Sequence, residues 1–530
     1  MERWNGWGDE RIHMELPPKA EALLEGLVGE SRRQTDYPLD EILKQIPDSR
    51  LPAHAAISRD RRERLVHAHG QSLPDWVDLR CGTLKRFPDG VACPTTGEEL
   101  EELLKYAEKN NIVVIPYGGG TSVVGHLEVP RDDRPVLSIS MKRFKRMTVI
   151  EPSSLLATFE TGICGPDLEA RLRGQGFTLG HYPQSFEYSS LGGWIVTRSS
   201  GQQAMHYGGI DSLFVGGEVL TPRGTLRLPD VPTSAAGPDL RQFVLGSEGR
   251  MGVLTRATMK ISPVPEVDDV YGAFFPSWDD ALEAVRVLAG SGLPLSMIRL
   301  SNPVETMTNL YLAGHEREIA LLKKYLGIRG ISEQGSCMCL IGFIGSKKLA
   351  RAVRGEAFSI IRKYKGISVG RPMGKAWKKN RFQAPYLRNT LWDMGYAIDT
   401  LETSLPWDRV DDTVQEIERV IGKGLLPWDE NVHVFTHLSR LYPIGSSIYT
   451  TYVFRIADTP EETIERWKTL KNAASRVIID ADGPISHQHG VGIDHKPYLE
   501  AEKGALGMEI VDRVFDVIDP DKRMNPTKLL

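Results

Sequence analysis

The stretch Pro116-Tyr-Gly-Gly-Gly-Thr-Ser-Val123 decides the fold of the first half of this 530-residue chain. Three successive glycines let backbone N–H groups turn toward a diphosphate without obstruction from a Cβ atom, and the two hydroxyls add further donors. The stretch contains neither the Gly-x-Gly-x-x-Gly fingerprint nor the Lys-Ser/Thr pair of a Walker motif. Taken alone, three successive glycines more often form a simple tight turn than a nucleotide site.

The residues before the glycine stretch predict a helix and then a strand. A threonine pair followed by a glutamate pair, within Thr95–Glu99, has the spacing of a capping box. Apolar residues then recur at i, i+3, i+4 and i+7 from Leu100, which predicts an amphipathic helix. A short β-rich run at residues 112–115 follows. The glycine stretch is therefore expected at the end of a strand in an α/β arrangement.

Two further regions combine glycine with hydroxyl side chains. The first comprises Gln184–Gly193 and Thr197–Gly201, and the second is Gly246–Leu254. Each lies beside an apolar run, as the glycine stretch does. Together the loops provide enough backbone and hydroxyl donors to surround a large dinucleotide. A single tight turn would not provide that many donors.

Strand and helix patterns continue along the chain and divide it near Ser262–Glu266, where two prolines indicate a boundary. Beyond this boundary, strands alternate with helices, which predicts an open sheet with helices on one face. The predicted strands are 136–140, 147–151, 156–160, 212–221, 225–228, 254–261, 270–275, 296–300 and 337–344, and the later predicted helices are 167–173, 278–289 and 347–365.

The composition is that of an ordinary globular protein, with 41% apolar and 25% charged residues. A formal net charge of −4 gives no indication of a nucleic-acid partner. The five cysteines show no metal-binding or redox spacing, which favours reduced thiols. The first ten residues lack the pattern of a signal peptide, and no apolar run is long enough to span a membrane. We therefore expect a cytoplasmic enzyme.

The three loop regions resemble the flavin-binding segments of the vanillyl-alcohol-oxidase family. That resemblance implies an α+β fold, with a two-subdomain FAD-binding domain of the PCMH type and a cap domain whose antiparallel sheet is covered by helices. It also implies non-covalent FAD, because Thr121 stands where some members carry the histidine that bonds to the flavin. The residues implied to bind FAD are Pro116, Tyr117, Gly118, Gly119, Gly120, Thr121, Ser122, Gln184, Ser185, Glu187, Tyr188, Ser189, Ser190, Thr197, Arg198, Ser199, Ser200, Glu248, Gly249, Gly252, Val253 and Leu254.

A closer resemblance, from about Arg64 to Leu530, is to the alkyldihydroxyacetonephosphate synthase family. The matching segments occur in the order and with the spacing of that family. They are Gly192–Trp194, Met297–Leu300, Tyr386–Arg388, Glu402–Val410, Ser447–Tyr449 and Ser486–Gly492. Residues 1–85 alternate polar helical patches with proline breaks, which predicts an N-terminal helical region. For the rest of the chain we expect an FAD-binding domain at 86–265, a cap and substrate domain at 266–440, and a C-terminal segment at 441–530 that completes the active site.

Members of that family exchange the acyl chain of acyl-dihydroxyacetone phosphate for a long-chain alcohol without net oxidation. A lipid-like phosphorylated substrate and a fatty alcohol are therefore the expected partners. By resemblance, Tyr449 is an acid or base whose pKa neighbours would have to lower, Arg388 binds the phosphate, and Arg299 is needed for activity. From the residues alone, these would be a strand tyrosine, a solvated helix arginine and a strand-end ion pair.

His487, Gln488 and His489 are expected to form a polar cluster beside the flavin, where one histidine orients or protonates Tyr449 or the leaving carboxylate. We expect no metal, because the two histidines stand two residues apart without a third ligand motif. The sequence departs from the family here, where three consecutive histidines are usual. Gln184 also replaces a common acid.

Two other classes of function remain open. An FAD-dependent oxidoreductase acting on a 2-hydroxy acid or another alcohol is one, although residues 442–449 lack the histidine-rich motif typical of such relatives. A flavoprotein-like binding module without catalysis is the other. The basic stretch Lys375–Arg381 indicates either a solvated surface or peripheral contact with an anionic membrane. The expected assembly is a homodimer.

Overall fold

The computed structural model describes residues 3–530, so Met1 and Glu2, at the start of the predicted N-terminal helical region, lie outside it. Its first region contains α1 (Pro18–Val28), α2 (Leu39–Gln45), β1 (Ile57–Ser58), α3 (Arg61–Val66), α4 (Leu73–Cys81), β2 (Gly90–Ala92), α5 (Gly97–Lys109), β3 (Val113–Tyr117) and β4 (Val136–Ser140). The strands form one sheet in the order β1-β2-β4-β3. β3 and β4 are parallel, and the glycine stretch begins at the end of β3.

Helix α5 forms where the sequence predicted it. Thr96 Oγ1 accepts a hydrogen bond of 3.2 Å from the backbone N–H of Glu99, which satisfies one of the free donors of the first turn. The predicted apolar face, including Leu100 and Leu103, is fully buried in a core shared with Val114 of β3. This packing fixes β3, and with it the position of the glycine stretch.

The second region forms a separate antiparallel sheet in the order β5-β6-β10-β8-β9. Its elements are β5 (Met147–Glu151), β6 (Leu156–Glu160), α6 (Gly165–Arg173), β7 (Phe177–Thr178), α7 (Leu191–Val196), α8 (Ala204–Tyr207), α9 (Ile210–Leu213), β8 (Phe214–Thr221), β9 (Gly224–Leu228), α10 (Arg241–Val244), β10 (Val253–Lys260) and β11 (Ser262–Pro263), which pairs with β7. The predicted strand 212–221 was wrong at its start. Residues 210–213 form a helical turn instead, because Ile210 and Leu213 both pack into the core of this region.

The third region forms a seven-stranded antiparallel sheet in the order β15-β12-β14-β13-β17-β18-β16. Its elements are β12 (Val267–Phe275), α11 (Trp278–Gly290), β13 (Leu295–Ser301), α12 (Pro303–Leu312), α13 (Glu316–Ile328), β14 (Cys337–Gly345), α14 (Lys347–Lys363), β15 (Ile367–Gly370), α15 (Pro372–Asn380), α16 (Ala384–Asp393), β16 (Tyr396–Pro406), α17 (Trp407–Lys423), β17 (His433–Tyr442), β18 (Gly445–Arg455), α18 (Pro460–Asp480) and α19 (Leu499–Ile518), with single 3-10 turns at Leu426–Trp428 and Lys496–Tyr498. Among residues 3–530, no helix is both long and apolar enough to cross a membrane.

Helices cover both faces of this third sheet, whereas the sequence predicted them on one face. Consecutive residues of a strand point to opposite faces, as Phe274 and Phe275 of β12 do. Phe275 packs in a core with Val285 of α11 and Phe358 of α14, while Phe274 packs against Leu326 of α13. Both phenylalanines are fully buried, so each face needs its own helical cover.

The C-terminal segment takes part in the third sheet and also reaches the FAD-binding half. β17 runs across residue 440, and β18 pairs with β16 and β17 inside the sheet. At the end of the chain, the Asn525 backbone N–H donates to the Val114 carbonyl at 2.8 Å. Its side-chain Nδ2 donates to the Glu248 carbonyl at 2.7 Å. The last residues therefore join the first sheet to the loop that precedes β10.

We expect Ile341→Ala to destabilise the core under the third sheet. Ile341, on β14, is fully buried there, so truncation loses apolar burial and leaves a cavity. The free energy of unfolding should fall by about 2–5 kcal/mol. Ile444, 81% exposed in the turn after β17, provides the matched control, and Ile444→Ala should change stability by less than about 0.5 kcal/mol. Urea denaturation followed by tryptophan fluorescence compares the two; equal midpoints would contradict this description of the core.

Candidate functional site

A cavity of about 1130 Å³ is lined by strands and loops of all three sheets. Every residue predicted for catalysis or substrate binding lines it, and so do most of those predicted to bind FAD. The predicted residues in the lining are Pro116, Tyr117, Gly118, Gly119, Gly120, Thr121, Ser122, Gln184, Ser185, Ser189, Ser190, Thr197, Ser199, Ser200, Glu248, Gly249, Gly252, Val253, Leu254, Arg299, Arg388, Tyr449, His487, Gln488 and His489.

Three residues predicted to bind FAD lie outside this lining. Tyr188 turns its hydroxyl to Tyr386, with 2.8 Å between the two oxygens. Arg198 is exposed, and its Nη2 donates to Gln242 Oε1 at 2.5 Å. Glu187 is partly buried beside Tyr386, and burial raises its pKa. The sequence grouped these residues with FAD because they stand in the same loops, and nothing in it showed which side chains turn away.

At the three glycines of the glycine stretch, the neighbouring residues leave no room for side chains. A Cβ atom on Gly119 would lie 1.9 Å from the Tyr188 carbonyl, and one on Gly118 would lie 2.3 Å from Ser190 Oγ. Gly120 has a φ of 68°, in the left-handed region that glycine adopts without strain. A backbone of this kind allows close approach of a diphosphate, so the loop fits a dinucleotide such as FAD.

Glu248 ties the FAD-binding half to residues 486–492, which we call the clamped loop. Its buried carboxylate accepts hydrogen bonds from the backbone N–H groups of Val491 at 2.6 Å and Gly492 at 2.9 Å. His126 Nε2 lies 2.9 Å from the same carboxylate. Charge-assisted bonds of this type offset the cost of burying the carboxylate.

Glu402, on β16, holds the other end of the clamped loop. Its carboxylate, only 1% exposed, accepts from the backbone N–H groups of Gln488 at 2.6 Å and His489 at 2.7 Å. Ser486 Oγ lies 3.3 Å from the same oxygen. One carboxylate from the FAD-binding half and one from the third sheet therefore fix the loop that carries the two predicted histidines.

The histidines of the clamped loop do not hydrogen-bond Tyr449. His487 Nε2 instead pairs with the Tyr442 hydroxyl at 2.8 Å, and burial lowers the pKa of His487 to about 4. His489 meets the Tyr449 ring edge-on, with 5.7 Å between ring centres, and burial also lowers its pKa. Both rings are therefore neutral at pH 7. Among residues 3–530, no group of three or more His, Cys, Asp or Glu side chains is placed to hold a metal ion.

Tyr449 lies at the centre of the polar part of the cavity. Its hydroxyl donates weakly to Thr400 Oγ1 at 3.3 Å, and its ring stacks on His437 with 4.8 Å between centres. The role of acid or base was conditional on neighbours that lower the pKa of Tyr449, and its surroundings act in the opposite direction. Burial raises the pKa of Tyr449 well above its usual value, and the nearby charge of Glu402 acts in the same direction. Tyr449 is therefore protonated at neutral pH.

Arg388, on α16, faces the cavity with part of its guanidinium unpaired. The group lies 4.3 Å from the Trp76 ring centre, and Nη1 donates to the Gln71 carbonyl. Within residues 3–530, Nε and Nη2 have no hydrogen-bond partner. Burial lowers the pKa of Arg388 to about 10, so the group stays charged at pH 7. The alternative of a solvated helix position was wrong, and the unpaired donors suit an anion.

Arg299 belongs to a buried group that sequence reasoning missed in part. Its Nη2 lies 2.8 Å from Glu305 Oε1, and His437 Nδ1 lies 2.9 Å from the same oxygen. Glu305 stands three residues after Asn302, whose side chain caps α12, and that spacing was visible in the sequence. Nothing in the sequence showed that Glu305 and His437 meet, because they are 132 residues apart.

Two family models match the chain: the FAD binding domain over residues 88–228, and the C-terminal domain of FAD linked oxidases over residues 264–529. Alkyldihydroxyacetonephosphate synthase from Dictyostelium discoideum is 31% identical, covering 100% of this chain and 93% of the relative. The Trypanosoma brucei brucei enzyme of that name is 28% identical, covering 100% and 92%. A mitochondrial D-lactate dehydrogenase [cytochrome] from Arabidopsis thaliana is 25% identical, covering 84% and 74%.

Solved structures agree with these matches. A structure of alkyldihydroxyacetonephosphate synthase superposes with a TM-score of 0.84 at 28% identity, covering 99% of this chain and 98% of the other. A 4-ethylphenol oxidase from Gulosibacter chungangensis, at 15% identity and a TM-score of 0.64 over 84% and 89%, shares the fold alone. The expected α+β fold and the FAD cofactor are confirmed. The chain therefore belongs to the FAD-dependent alkyldihydroxyacetonephosphate synthase family.

Proposed function

We propose that this protein exchanges the acyl chain of acyl-dihydroxyacetone phosphate for a long-chain fatty alcohol. The products are an alkyl ether and a free fatty acid, with no net oxidation. Relatives that align with the whole chain carry the name of an enzyme of this kind. The observation that supports the proposal most is that one cavity brings together a backbone cradle, an unpaired guanidinium and an apolar limb.

The apolar limb of the cavity is supplied by helices α12, α13 and α15 together with β14. Burying an alkyl chain there gains roughly 0.8 kcal/mol for each CH₂ removed from water. Such a lining suits both the acyl chain that leaves and the alcohol that replaces it. Its side chains include Leu310, Ile319, Leu322, Met338, Leu340 and Met373.

Arg388 is the proposed phosphate ligand. Its free Nε and Nη2 present two parallel donors to one anion, a geometry that a lysine cannot reproduce. The third guanidinium nitrogen, Nη1, donates to the Gln71 carbonyl, and the guanidinium lies over the Trp76 ring. The group is therefore oriented before the substrate binds. A pre-oriented fork costs less conformational entropy on binding.

The glycine stretch and the two hydroxyl-rich loops are proposed to hold FAD along the first two sheets. When bound, FAD supplies an electron-accepting ring beside the substrate. Tyr449, protonated because it is buried, serves as a hydrogen-bond donor or acid. Arg299, His487 and His489 complete the polar end of the cavity.

Gln488 and Gln184, the two departures from the family pattern, both line the cavity. The backbone N–H of Gln488 donates to Glu402, as that of His489 does. The type of side chain at position 488 does not affect that bond. We propose that both glutamines leave the type of reaction unchanged.

The expectations about surroundings and assembly also remain proposals. The proposed boundaries at residues 85 and 265 are supported by family models that begin at 88 and 264, whereas the boundary at 440 falls inside β17. We propose a cytoplasmic location with peripheral membrane contact. Helix α15 places exposed Lys375 and Lys379 beside Trp377 of the cavity lining, which supports contact with an anionic membrane. Exposed Leu506 and Ile510 on α19 offer an apolar surface for the proposed homodimer.

The test is a mass-spectrometric product assay with purified, FAD-loaded protein, acyl-dihydroxyacetone phosphate and hexadecanol under anaerobic conditions. We expect the alkyl ether and the free fatty acid in equal amounts, without an added electron acceptor. If no ether forms, and the flavin is bleached by a 2-hydroxy acid, the proposal fails and the oxidoreductase alternative replaces it.

Arg388→Lys should weaken binding of the phosphorylated substrate. The lysine keeps a positive charge but loses the fork, so we expect KM for acyl-dihydroxyacetone phosphate to rise about 10- to 100-fold, with a smaller effect on kcat. Arg362→Lys, at an exposed position of α14, is the matched control and should leave KM unchanged. Steady-state ether synthesis measures both. An unchanged KM in Arg388→Lys would remove Arg388 from phosphate binding.

A further inference from the structure

His437 lines the cavity together with His487 and His489, and it differs from them in how its ring is held. Its Nδ1 lies 2.9 Å from Glu305 Oε1, within hydrogen-bond distance of a buried carboxylate. No residue in the described part of the chain hydrogen-bonds its Nε2. His437 lies opposite Tyr449 on the neighbouring strand, and the two rings are stacked.

Glu305 is an ionised partner for this ring. Burial alone would raise its pKa, but its interactions with His437 and Arg299, which include the hydrogen bond from His437, outweigh burial and lower the pKa of Glu305 to about 2. Arg299 Nη2 bonds the same oxygen at 2.8 Å, and the Asn302 side chain accepts from the Glu305 backbone N–H at 2.8 Å. The carboxylate is thus both charged and fixed in position at neutral pH.

The position of Glu305 decides which ring nitrogen of His437 carries the proton. A carboxylate can only accept, so Nδ1 must donate to it, and Nε2 is left as the acceptor. Arg299 Nη2 also lies 3.2 Å from Nδ1, but that contact is longer than the bond to Glu305. Burial lowers the pKa of His437, so the ring is neutral at pH 7 and its Nε2 lone pair is available.

The other polar groups of the cavity are less suited to accept a proton. Tyr449 is protonated at neutral pH because burial raises its pKa. His487 already uses Nε2 in its bond to Tyr442. His489 Nδ1 lies 3.4 Å from Glu402, whose near oxygen is taken up by backbone N–H groups.

We propose that His437 is the base that accepts the hydroxyl proton of the fatty alcohol, with Glu305 as the residue that positions it. The inference rests on the proposed exchange reaction. In net terms, the alcohol O–H bond breaks and its proton passes to Nε2, while the alcohol oxygen forms the new bond to C1. The C1–O bond to the acyl group breaks, and the fatty acid leaves as a carboxylate with the electron pair. His437 then releases the proton to that carboxylate or to water.

The first test is His437→Gln, which keeps a side-chain N–H for Glu305 but has no basic nitrogen. We expect kcat for ether synthesis to fall about 100-fold or more, the usual contribution of a general base, while the flavin absorbance spectrum and the melting temperature are retained. His433→Gln is the matched control: His433 stands on the same strand, is buried, bonds Thr308 and does not line the cavity. Wild-type kcat in His437→Gln would overturn the proposal.

A pH profile distinguishes catalysis from a structural role. His437 must be neutral to act, so kcat should fall as pH falls through its pKa. The groups that face the ring are Arg299, Glu305, Glu402 and Tyr449, and only Glu305 bonds it as an anion. Glu305→Gln removes the charge that favours the protonated ring, so the acid limb of the profile should move to lower pH and maximal kcat should fall.

The Glu305→Gln profile decides the matter even if His437→Gln fails to retain FAD, because the ring of His437 is then intact. An acid limb that stays in place in Glu305→Gln would reduce Glu305 and His437 to structural roles and overturn the proposal. The failure of the proposed function looks different: wild-type protein would then form no ether at all.

Discussion

The site depends on two buried carboxylates that hold one loop from opposite sides. Glu248 belongs to the FAD-binding half and Glu402 to the third sheet. Both carboxylates accept hydrogen bonds from backbone N–H groups of the clamped loop, residues 486–492. A buried carboxylate without such donors would be costly, and backbone donors without an acceptor would be costly as well. Each partner therefore requires the other, and the two halves of the molecule are fixed relative to the same seven residues.

The arrangement explains why polar side chains from distant parts of the sequence form one surface. The clamped loop places His489 edge-on to Tyr449, and β-sheet pairing stacks His437 on the same ring. Arg388 extends from α16, and its guanidinium is held by the Trp76 ring and the Gln71 carbonyl. The glycine stretch also lines the cavity, as do Glu248 and Asn525, whose side chain donates to the Glu248 carbonyl. Oxidoreductases that share the fold at low identity show that the scaffold alone does not set the reaction.

Local features of the fold could be predicted from the sequence, and the family resemblance identified part of the cavity lining. Capping and periodicity located α5, and the glycine stretch together with the two hydroxyl-rich loops indicated a dinucleotide. The start of β8 was misplaced because Ser212 and Leu213 belong to a helical turn that ends directly where the strand begins. The helical cover on the second face of the third sheet was missed, since a strand buried on both faces has no alternation to reveal.

Contacts between residues that are distant in the sequence could not be predicted. Glu248 and Val491 are 243 residues apart, and Glu305 and His437 are 132 apart, so no local pattern connects them. The raised pKa of Tyr449 could not be predicted either, because it depends on burial that a strand pattern does not measure. The resemblance to a family identified Tyr449 and Arg388, whereas the groups that hold and complement them emerged only in three dimensions.

A double-mutant cycle with Glu248→Gln and Glu402→Gln tests most directly whether the clamped loop is one unit held from both sides. Each variant would be loaded with FAD and assayed for ether synthesis at saturating substrate. Because the first substitution already releases the loop, we predict that the double variant loses much less activity than the product of the two single losses. Losses that multiply independently would show that the two carboxylates act separately, and would contradict the account.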